Sequence, residues 1–212
     1  MEVPMALHFM ILLIGFAYIV LFGGLSLLRR EGLSARFAIE ALIFTGLASG
    51  LVGLLGFKVH PVLFLFTLYL VTMRVRLLVD IGTLFARRGR FKPAERIYQF
   101  AAQVWPDQTC SFVIQVNYGT MLLQAGRLEE AITMLKSVTE KSDSGFLGVK
   151  YESAAHYNLA VAYMRQNKQA QAVREFNSVL DTWPSSEFAH QASTALERHQ
   201  RKSTSDPENL DK

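Results

Sequence analysis

The stretch that decides the fold of this chain runs from residue 78 to residue 106 and reads LVDIGTLFARRGRFKPAERIYQFAAQVWP. Apolar and small residues recur in it at intervals of three and four, which predicts two amphipathic helices. Gly89 lies between them and predicts a turn. Ala94 follows Gly82 by twelve positions. We expect the two helices to approach each other closely at this pair, because neither residue has a bulky side chain.

The same frame occurs twice more further along the chain. Ala131 follows Gly119, and Ala172 follows Ala160, by the same twelve positions. Asn167 stands where the first two frames have a glycine, and asparagine tolerates the left-handed conformation that such a turn requires. The three frames consist of Leu78, Ile81, Gly82, Phe85, Gly89, Phe91, Ala94, Tyr98, Ala101 and Pro106; of Tyr118, Gly119, Leu122, Gly126, Leu128, Ala131, Leu135 and Val138; and of Leu159, Ala160, Tyr163, Ala172, Phe176, Val179 and Pro184.

This pattern resembles the tetratricopeptide repeat (TPR), a helix–turn–helix unit of about 34 residues. The resemblance covers roughly residues 75–186, and the first frame fits the family pattern best. It implies an α-solenoid of three helix pairs, an array that binds polypeptides and seldom has catalytic activity. Residues 185–199 then predict a capping helix, and the polar residues 200–212 predict a disordered tail.

Three apolar segments precede the repeats. Residues 6–28 carry no charge, and at about 1.5 Å per residue they are long enough to cross a hydrocarbon core of about 30 Å. Residues 38–57 form a second segment. Residues 59–79 form a third if Arg74 and Arg76 extend their guanidinium groups to the interface. The alternative for the third segment is a helix that lies in the headgroup plane.

The predicted fold is therefore all-α. It consists of a membrane anchor over residues 1–74, a TPR-like solenoid over residues 75–199 that includes the capping helix, and the tail. A chain of 212 residues has room for this anchor and one small further domain.

The positions of Lys and Arg predict the topology, because these residues concentrate on the cytoplasmic side of membrane helices. The loop after the first segment contains Arg29, Arg30 and Arg36, whereas the loop before the third contains only Lys58. The densest basic cluster follows the third segment. Three spans with the N-terminus outside put every basic cluster in the cytoplasm, and two spans would put the densest one outside. We expect an integral protein of the plasma membrane, specifically a bacterial inner membrane, with the repeats in the cytoplasm.

The net charge of +4 does not predict nucleic-acid binding. Six basic residues lie at positions 74–92. From residue 93 onward the chain contains 12 Lys and Arg and 14 Asp and Glu, so this part has no excess of positive charge. Basic residues beside a membrane contact anionic lipid headgroups, each contributing about 1 kcal/mol. The predicted headgroup contacts are Arg74, Arg76, Arg87, Arg88 and Arg90.

The second apolar segment contains one acid and a row of small residues. Glu40 follows Arg36 by four positions, so we predict an ion pair at the interface rather than a proton path. Small residues recurring on one face allow helices to pack closely in lipid. Their partner is either another span of this chain or a helix of another protein. The predicted packing residues are Gly46, Ser49, Gly50 and Gly53.

The family resemblance implies a concave groove lined by the first helix of each pair. Asn117 and Asn158 each stand two residues before the small packing residue. An amide offers both a donor and an acceptor to a bound peptide backbone, and the alternative is a solvated polar position. The predicted groove residues are Asp80, Asn117, Thr120, Gln124, Tyr157, Asn158, Val161 and Arg165.

No pattern typical of catalysis or of a metal site is present in the sequence. Cys110 is predicted to be an inert thiol at a helix start. We therefore expect no enzymatic activity, no cofactor and no metal. The sequence predicts a membrane-anchored TPR scaffold or assembly factor whose partners are a protein or peptide and the lipid membrane. The alternative is an integral accessory subunit of a membrane transporter or redox complex, with the repeats as a docking lid.

Overall fold

The computed structural model describes residues 3–31, 34–141 and 148–205. These described residues form nine helices and no strand, which confirms the predicted all-α class. The helices are α1 (Val3–Leu28), α2 (Ala35–Leu55), α3 (Pro61–Arg87), α4 (Phe91–Gln103), α5 (Gln108–Gln124), α6 (Leu128–Thr139), α7 (Val149–Arg165), α8 (Gln169–Thr182) and α9 (Glu187–Ser205).

The helices surround two separate hydrophobic cores. Helices α1, α2 and the first half of α3 form a bundle, whose buried apolar residues are Ile11, Tyr18, Ala41, Val52, Phe64 and Leu68. The second core runs through the solenoid from Val75 to Ala192. Helix α3 belongs to both, because Leu68 lies in the bundle core and Val75 in the solenoid core. The domain boundary predicted between residues 74 and 75 thus falls inside one continuous helix.

Within the described part of the chain, three helices are long and apolar enough to cross a membrane, as judged by length and composition. They are α1 from Leu7 onward, α2 and α3. Most of their large apolar side chains point outward, for example Leu13, Leu47 and Phe66. A bundle with a thin core and an apolar exterior is the pattern of helices that face lipid.

The solenoid consists of the antiparallel pairs α3–α4, α5–α6 and α7–α8. A Cβ atom on Gly82 would lie 2.9 Å from the ring of Tyr98, and one on Gly119 would lie 2.8 Å from Leu135. These two glycines permit a close helix contact, but the side chains nearest to them are Tyr98 and Leu135, sixteen positions further along, and not Ala94 and Ala131 of the predicted pairs. Each pair turns through one left-handed residue, and φ is 59° at Asn167 where the other two pairs have glycine.

Helix α9 closes the array as the predicted cap. Its residues Ala189 and Ala192 are buried, and Phe188 contacts the ring of Tyr157 on α7 at a centroid distance of 5.5 Å. The helix continues to Ser205, so the first part of the tail predicted to be disordered is helical. Residues 206–212 lie outside the described residues.

Candidate functional site

The inner helices α3, α5 and α7 are joined by hydrogen bonds between polar side chains. Asn117 Nδ2 donates to the Val113 carbonyl of its own helix at 2.8 Å, and Asn117 Oδ1 accepts from Thr83 Oγ1 on α3 at 3.4 Å. Asn158 Nδ2 donates to the Ala154 carbonyl at 2.9 Å and to Thr120 Oγ1 on α5 at 3.0 Å. Both asparagines thus connect neighbouring inner helices. Both of these bonds use the nitrogen of the Asn158 amide, so its carbonyl oxygen can accept a hydrogen bond from a partner.

The other predicted groove residues differ in how far they are engaged within the protein. Arg165 Nη1 donates to the Leu123 carbonyl at 2.9 Å, so this cation stabilises the last turn of α5. Tyr157 packs between Phe176 and Phe188 and is part of the solenoid interior. Half-buried Val161 packs against the same core, while Asp80 and Gln124 are exposed.

A second polar region lies where the solenoid meets the bundle. Glu31 follows α1, and its side chain is 7% exposed between two cations. Arg76 of α3 and Lys150 of α7 each contact one of its carboxylate oxygens at 2.6 Å. Burial acts to raise the pKa of Glu31, but the hydrogen bonds and charges of Lys150 and Arg76 outweigh it and hold the pKa below the usual glutamate value. This triad joins the α1–α2 connection to two solenoid helices.

Glu40 of α2 accepts from two arginines. Arg36 Nε contacts Glu40 Oε1 at 2.7 Å, which confirms the predicted pair. Arg74 of α3 binds the same carboxylate through both terminal nitrogens, at 2.6 and 2.9 Å. Arg74 also donates from Nε to the Val104 carbonyl at 3.2 Å and from Nη2 to the Trp105 carbonyl at 3.5 Å. One guanidinium therefore connects α2, α3 and the α4–α5 turn.

Two helix-capping residues meet at the same junction. Ser34 Oγ accepts from the Phe37 amide and begins α2, while Asp107 Oδ1 accepts from the Cys110 amide and begins α5. Ser34 Oγ also donates to Asp107 Oδ2. The start of a bundle helix and the start of a solenoid helix are thereby held together.

These contacts border a cavity of about 520 Å³ between the bundle and the solenoid. Its wall includes Tyr69, Tyr151 and Cys110 together with the ionic groups of the junction. Burial, with a contribution from Asp107, raises the pKa of Cys110 to about 12. The thiol therefore stays protonated near neutral pH, in agreement with the predicted inert cysteine.

The structure does not bring the five predicted headgroup contacts together. Arg74 and Arg76 lie at the junction and are paired with Glu40 and Glu31. The other three lie at the far end of α3 and in the turn after it. Arg87 is thirteen residues beyond Arg74, which corresponds to about 20 Å along the helix.

The small residues of α2 are divided between two environments. Ser49 is buried and its hydroxyl lies 3.4 Å from the His8 carbonyl of α1, and Gly53 also faces His8. A Cβ atom placed on Gly46 or Gly50 would meet no described atom within 4 Å. The contact between α1 and α2 also includes Gly15, which packs directly against Thr45. The sequence pattern did not single out this glycine.

Comparison with protein families identifies one segment of the solenoid. Residues 154–186 match the family model of the tetratricopeptide repeat. This segment lies on α7, α8 and the turn after them, which is the third frame and not the first, where we expected the best fit. No curated protein and no solved structure matches the chain. A TPR within an all-helical array points to a protein-binding scaffold.

Sequence reasoning missed two features of the junction. Glu31 is a single acid among Arg29, Arg30 and Arg36, and that position was the available signal for a buried ion pair. Its second partner, Lys150, is 119 residues away in sequence, and no local pattern indicates the contact.

Proposed function

We propose that this protein is a membrane-anchored TPR scaffold or assembly factor that binds a partner protein at the cytoplasmic membrane face. The main support is helix α3, whose first half packs in the apolar bundle and whose second half packs in the solenoid. A protein bound to the solenoid would be held at a fixed distance from the membrane, because a continuous helix connects the two parts.

Charge placement supports the cytoplasmic orientation. The end of the bundle that touches the solenoid contains Arg29, Arg30 and Arg36, while the other end contains Lys58. Positive charge is retained on the cytoplasmic side of membrane proteins. The solenoid is joined to the more basic end, so the proposal places it in the cytoplasm.

Cysteine labelling in intact cells tests this orientation. In a Cys110→Ala background, Lys58→Cys should react with a membrane-impermeant maleimide, whereas Ser203→Cys should react only after the cells are permeabilised. Lys58 is exposed in the α2–α3 connection and serves as the matched position. Labelling of Ser203→Cys in intact cells would contradict three spans with the N-terminus outside.

The inner helix face supports binding of an extended or helical segment of a partner. It combines amide groups at Asn117 and Asn158 with the exposed side chains of Asp80 and Gln124. Such a face can hydrogen-bond a peptide backbone whatever its sequence, while half-buried Val161 adds apolar contact.

The double substitution Asn117→Ala with Asn158→Ala should reduce partner binding by roughly one hundred-fold. Each lost amide would leave a partly desolvated peptide group of the partner unpaired, at about 1–3 kcal/mol. Binding is measured as the fraction of partner that co-purifies with the full-length chain in mild detergent over a dilution series. The same change also removes the bonds to Thr83 and Thr120, so a small loss of stability is expected.

A matched control separates these two effects. Thr83→Val leaves both amides and every predicted groove residue in place, but it removes the bond between Asn117 and α3 together with the bond of Thr83 to Tyr98. This control should lose some stability and keep the partner. If the control and the asparagine double variant bind equally well, the partner does not use the asparagines.

One observation favours the accessory-subunit alternative, namely the open face of α2 at Gly46 and Gly50. Small residues on a lipid-facing helix allow a second helix to approach closely. In the same co-purification, Gly46→Leu with Gly50→Leu should leave a scaffold partner bound. Loss of the partner only in this variant would favour the intramembrane subunit.

A further inference from the structure

Trp105 combines an exposed side chain with an unfavourable backbone conformation. It is 78% exposed in the α4–α5 turn, and its φ is 51°. A positive φ is a genuine outlier for a bulky residue. A residue this exposed contributes little to the packing of the solenoid, so the fold itself does not explain a tryptophan at this position.

The turn that contains Trp105 is fixed at the level where the third apolar helix leaves the bundle. Its carbonyl and that of Val104 accept hydrogen bonds from Arg74, which also binds Glu40 of α2. Helix α3 changes from the bundle core to the solenoid core at this same height. If the bundle spans a membrane, Trp105 therefore lies at the membrane–water interface.

We propose that the indole of Trp105 inserts into the headgroup layer of the bilayer and holds the solenoid against the membrane. This inference rests on the proposed membrane anchoring of α1–α3. Tryptophan is enriched at this depth because its ring is apolar and its N–H can hydrogen-bond water or lipid. Trp105 borders the junction cavity together with Glu40 and Arg74. Exposed apolar side chains of the bundle reach Ile39 and Val71, within one helical turn of these two charged residues, so lipid is the occupant that fits the ring.

The position of Arg74 supports this placement of Trp105 at the interface. It is partly exposed at the same height, and a long arginine stem can lie along apolar surface while its charged group stays at the interface. Its guanidinium fixes the backbone of the α4–α5 turn, so the side chain of Trp105 is presented from a rigid support. A bound protein at this surface is the competing occupant, and exposure of Trp105 to water in protein-free vesicles would favour it.

The chain contains two tryptophans, so Trp183→Phe leaves Trp105 as the single fluorophore. This variant is reconstituted at full length in vesicles of phosphatidylcholine and phosphatidylglycerol, with no other protein present. Lipids brominated near the headgroup should quench the emission several-fold more than lipids brominated near the bilayer centre. Acrylamide in the aqueous phase should quench weakly. Strong acrylamide quenching with no effect of brominated lipid would overturn the inference.

Trp105→Phe provides the matched control, because it leaves only Trp183. Arg30 lies over that ring at 5.3 Å, and the indole N–H donates to Ser185 Oγ at 3.0 Å. Trp183 is half-buried, and both its ring and its N–H are engaged within the protein, so brominated lipid should quench it less than the exposed Trp105. Equal lipid quenching of the two residues would contradict a specific insertion of Trp105.

Two further measurements distinguish the possible failures. A protein that does not float with the vesicles would contradict the membrane anchoring itself, whereas a floating protein with water-exposed Trp105 would contradict only the insertion of the indole. Trp105→Asn should leave the melting temperature in detergent unchanged, because asparagine tolerates the left-handed backbone. A large fall would show that the indole packs within the protein, and that outcome too would overturn the inference.

Discussion

Replacement of Glu31 by alanine should lower the free energy of unfolding by about 3 kcal/mol, near the lower end of the range for a broken buried ion pair. The carboxylate is nearly buried and contacts Arg76 and Lys150 at 2.6 Å each. Its removal would leave two cations close together without their counter-charge. The lower end of the range applies because Lys150 is 41% exposed and solvent screens its charge.

The measurement is thermal unfolding of the full-length chain in detergent near neutral pH. Glu140→Ala is the control, because its contact with Lys136 at 3.6 Å is exposed on both sides and should be screened by solvent. We expect no measurable shift for the control and a clear fall in melting temperature for Glu31→Ala. Equal behaviour of the two variants would mean that the junction does not contribute to stability.

The contribution of Glu31 should also depend on pH, with a sign that its pKa determines. The pKa of Glu31 is lower in the folded protein than the ordinary glutamate value of about 4.3. Its ionised form therefore stabilises the fold above that ordinary value, and the contribution is lost as the pH falls through the lowered pKa. The difference in stability between the parent and Glu31→Gln should be constant near neutral pH and shrink in acid. A difference that grows in acid would contradict this assignment.

The helix pairs could be predicted because their determinants are local. Gly82 and Ala94 are twelve residues apart on paired helices, and the turn between these helices leaves little freedom in how they pack. The side chain that faces Gly82 is nevertheless Tyr98, one helical turn beyond Ala94. The left-handed turn at Asn167 was predictable for the same reason, since few side chains tolerate that conformation.

The contacts of the candidate site could be predicted only in part. The pair of Arg36 and Glu40 was predictable because the two residues are one helical turn apart, but Arg74 was not, because it arrives from another helix. Likewise, the position of Asn158 on an inner helix was predictable, but its bond to Thr120 depends on the distance between two helices. Spacing along a sequence does not determine that distance.

The position of the family match has a related physical explanation. The helix α3 of the first frame must be apolar enough to pack in the bundle as well as in the solenoid. Two packing requirements act on its composition, whereas the apolar residues of α7 and α8 pack in the solenoid core and Lys150 at the start of α7 reaches the α1–α2 connection. The bundle core places no requirement on the third frame, and the family match falls there, on residues 154–186.

Larger side chains in the contact between paired helices should also lower the free energy of unfolding strongly. Ala94 of α4 and Ala131 of α6 are both 0% exposed. Leucine at either position adds a branched side chain at a fully buried site between helices, and such overpacking costs about 1–3 kcal/mol per site. The two residues lie in neighbouring pairs of one continuous core. Because the stability of a solenoid is approximately a sum of local terms, the double variant should lose roughly both amounts.

The two single variants and the double variant are compared with the parent by thermal unfolding of the full-length chain in detergent. Ala102→Leu is the matched control, because Ala102 lies on the exposed side of α4, the helix that also contains Ala94. The control should melt close to the parent, since leucine at an exposed helix position adds no clash and has nearly the helix propensity of alanine. If Ala94→Leu and Ala131→Leu also melt with the parent, these alanines do not lie where the paired helices are closest. The predicted role of these alanines in the contacts of α3 with α4 and of α5 with α6 would then be wrong, whatever the partner of the protein proves to be.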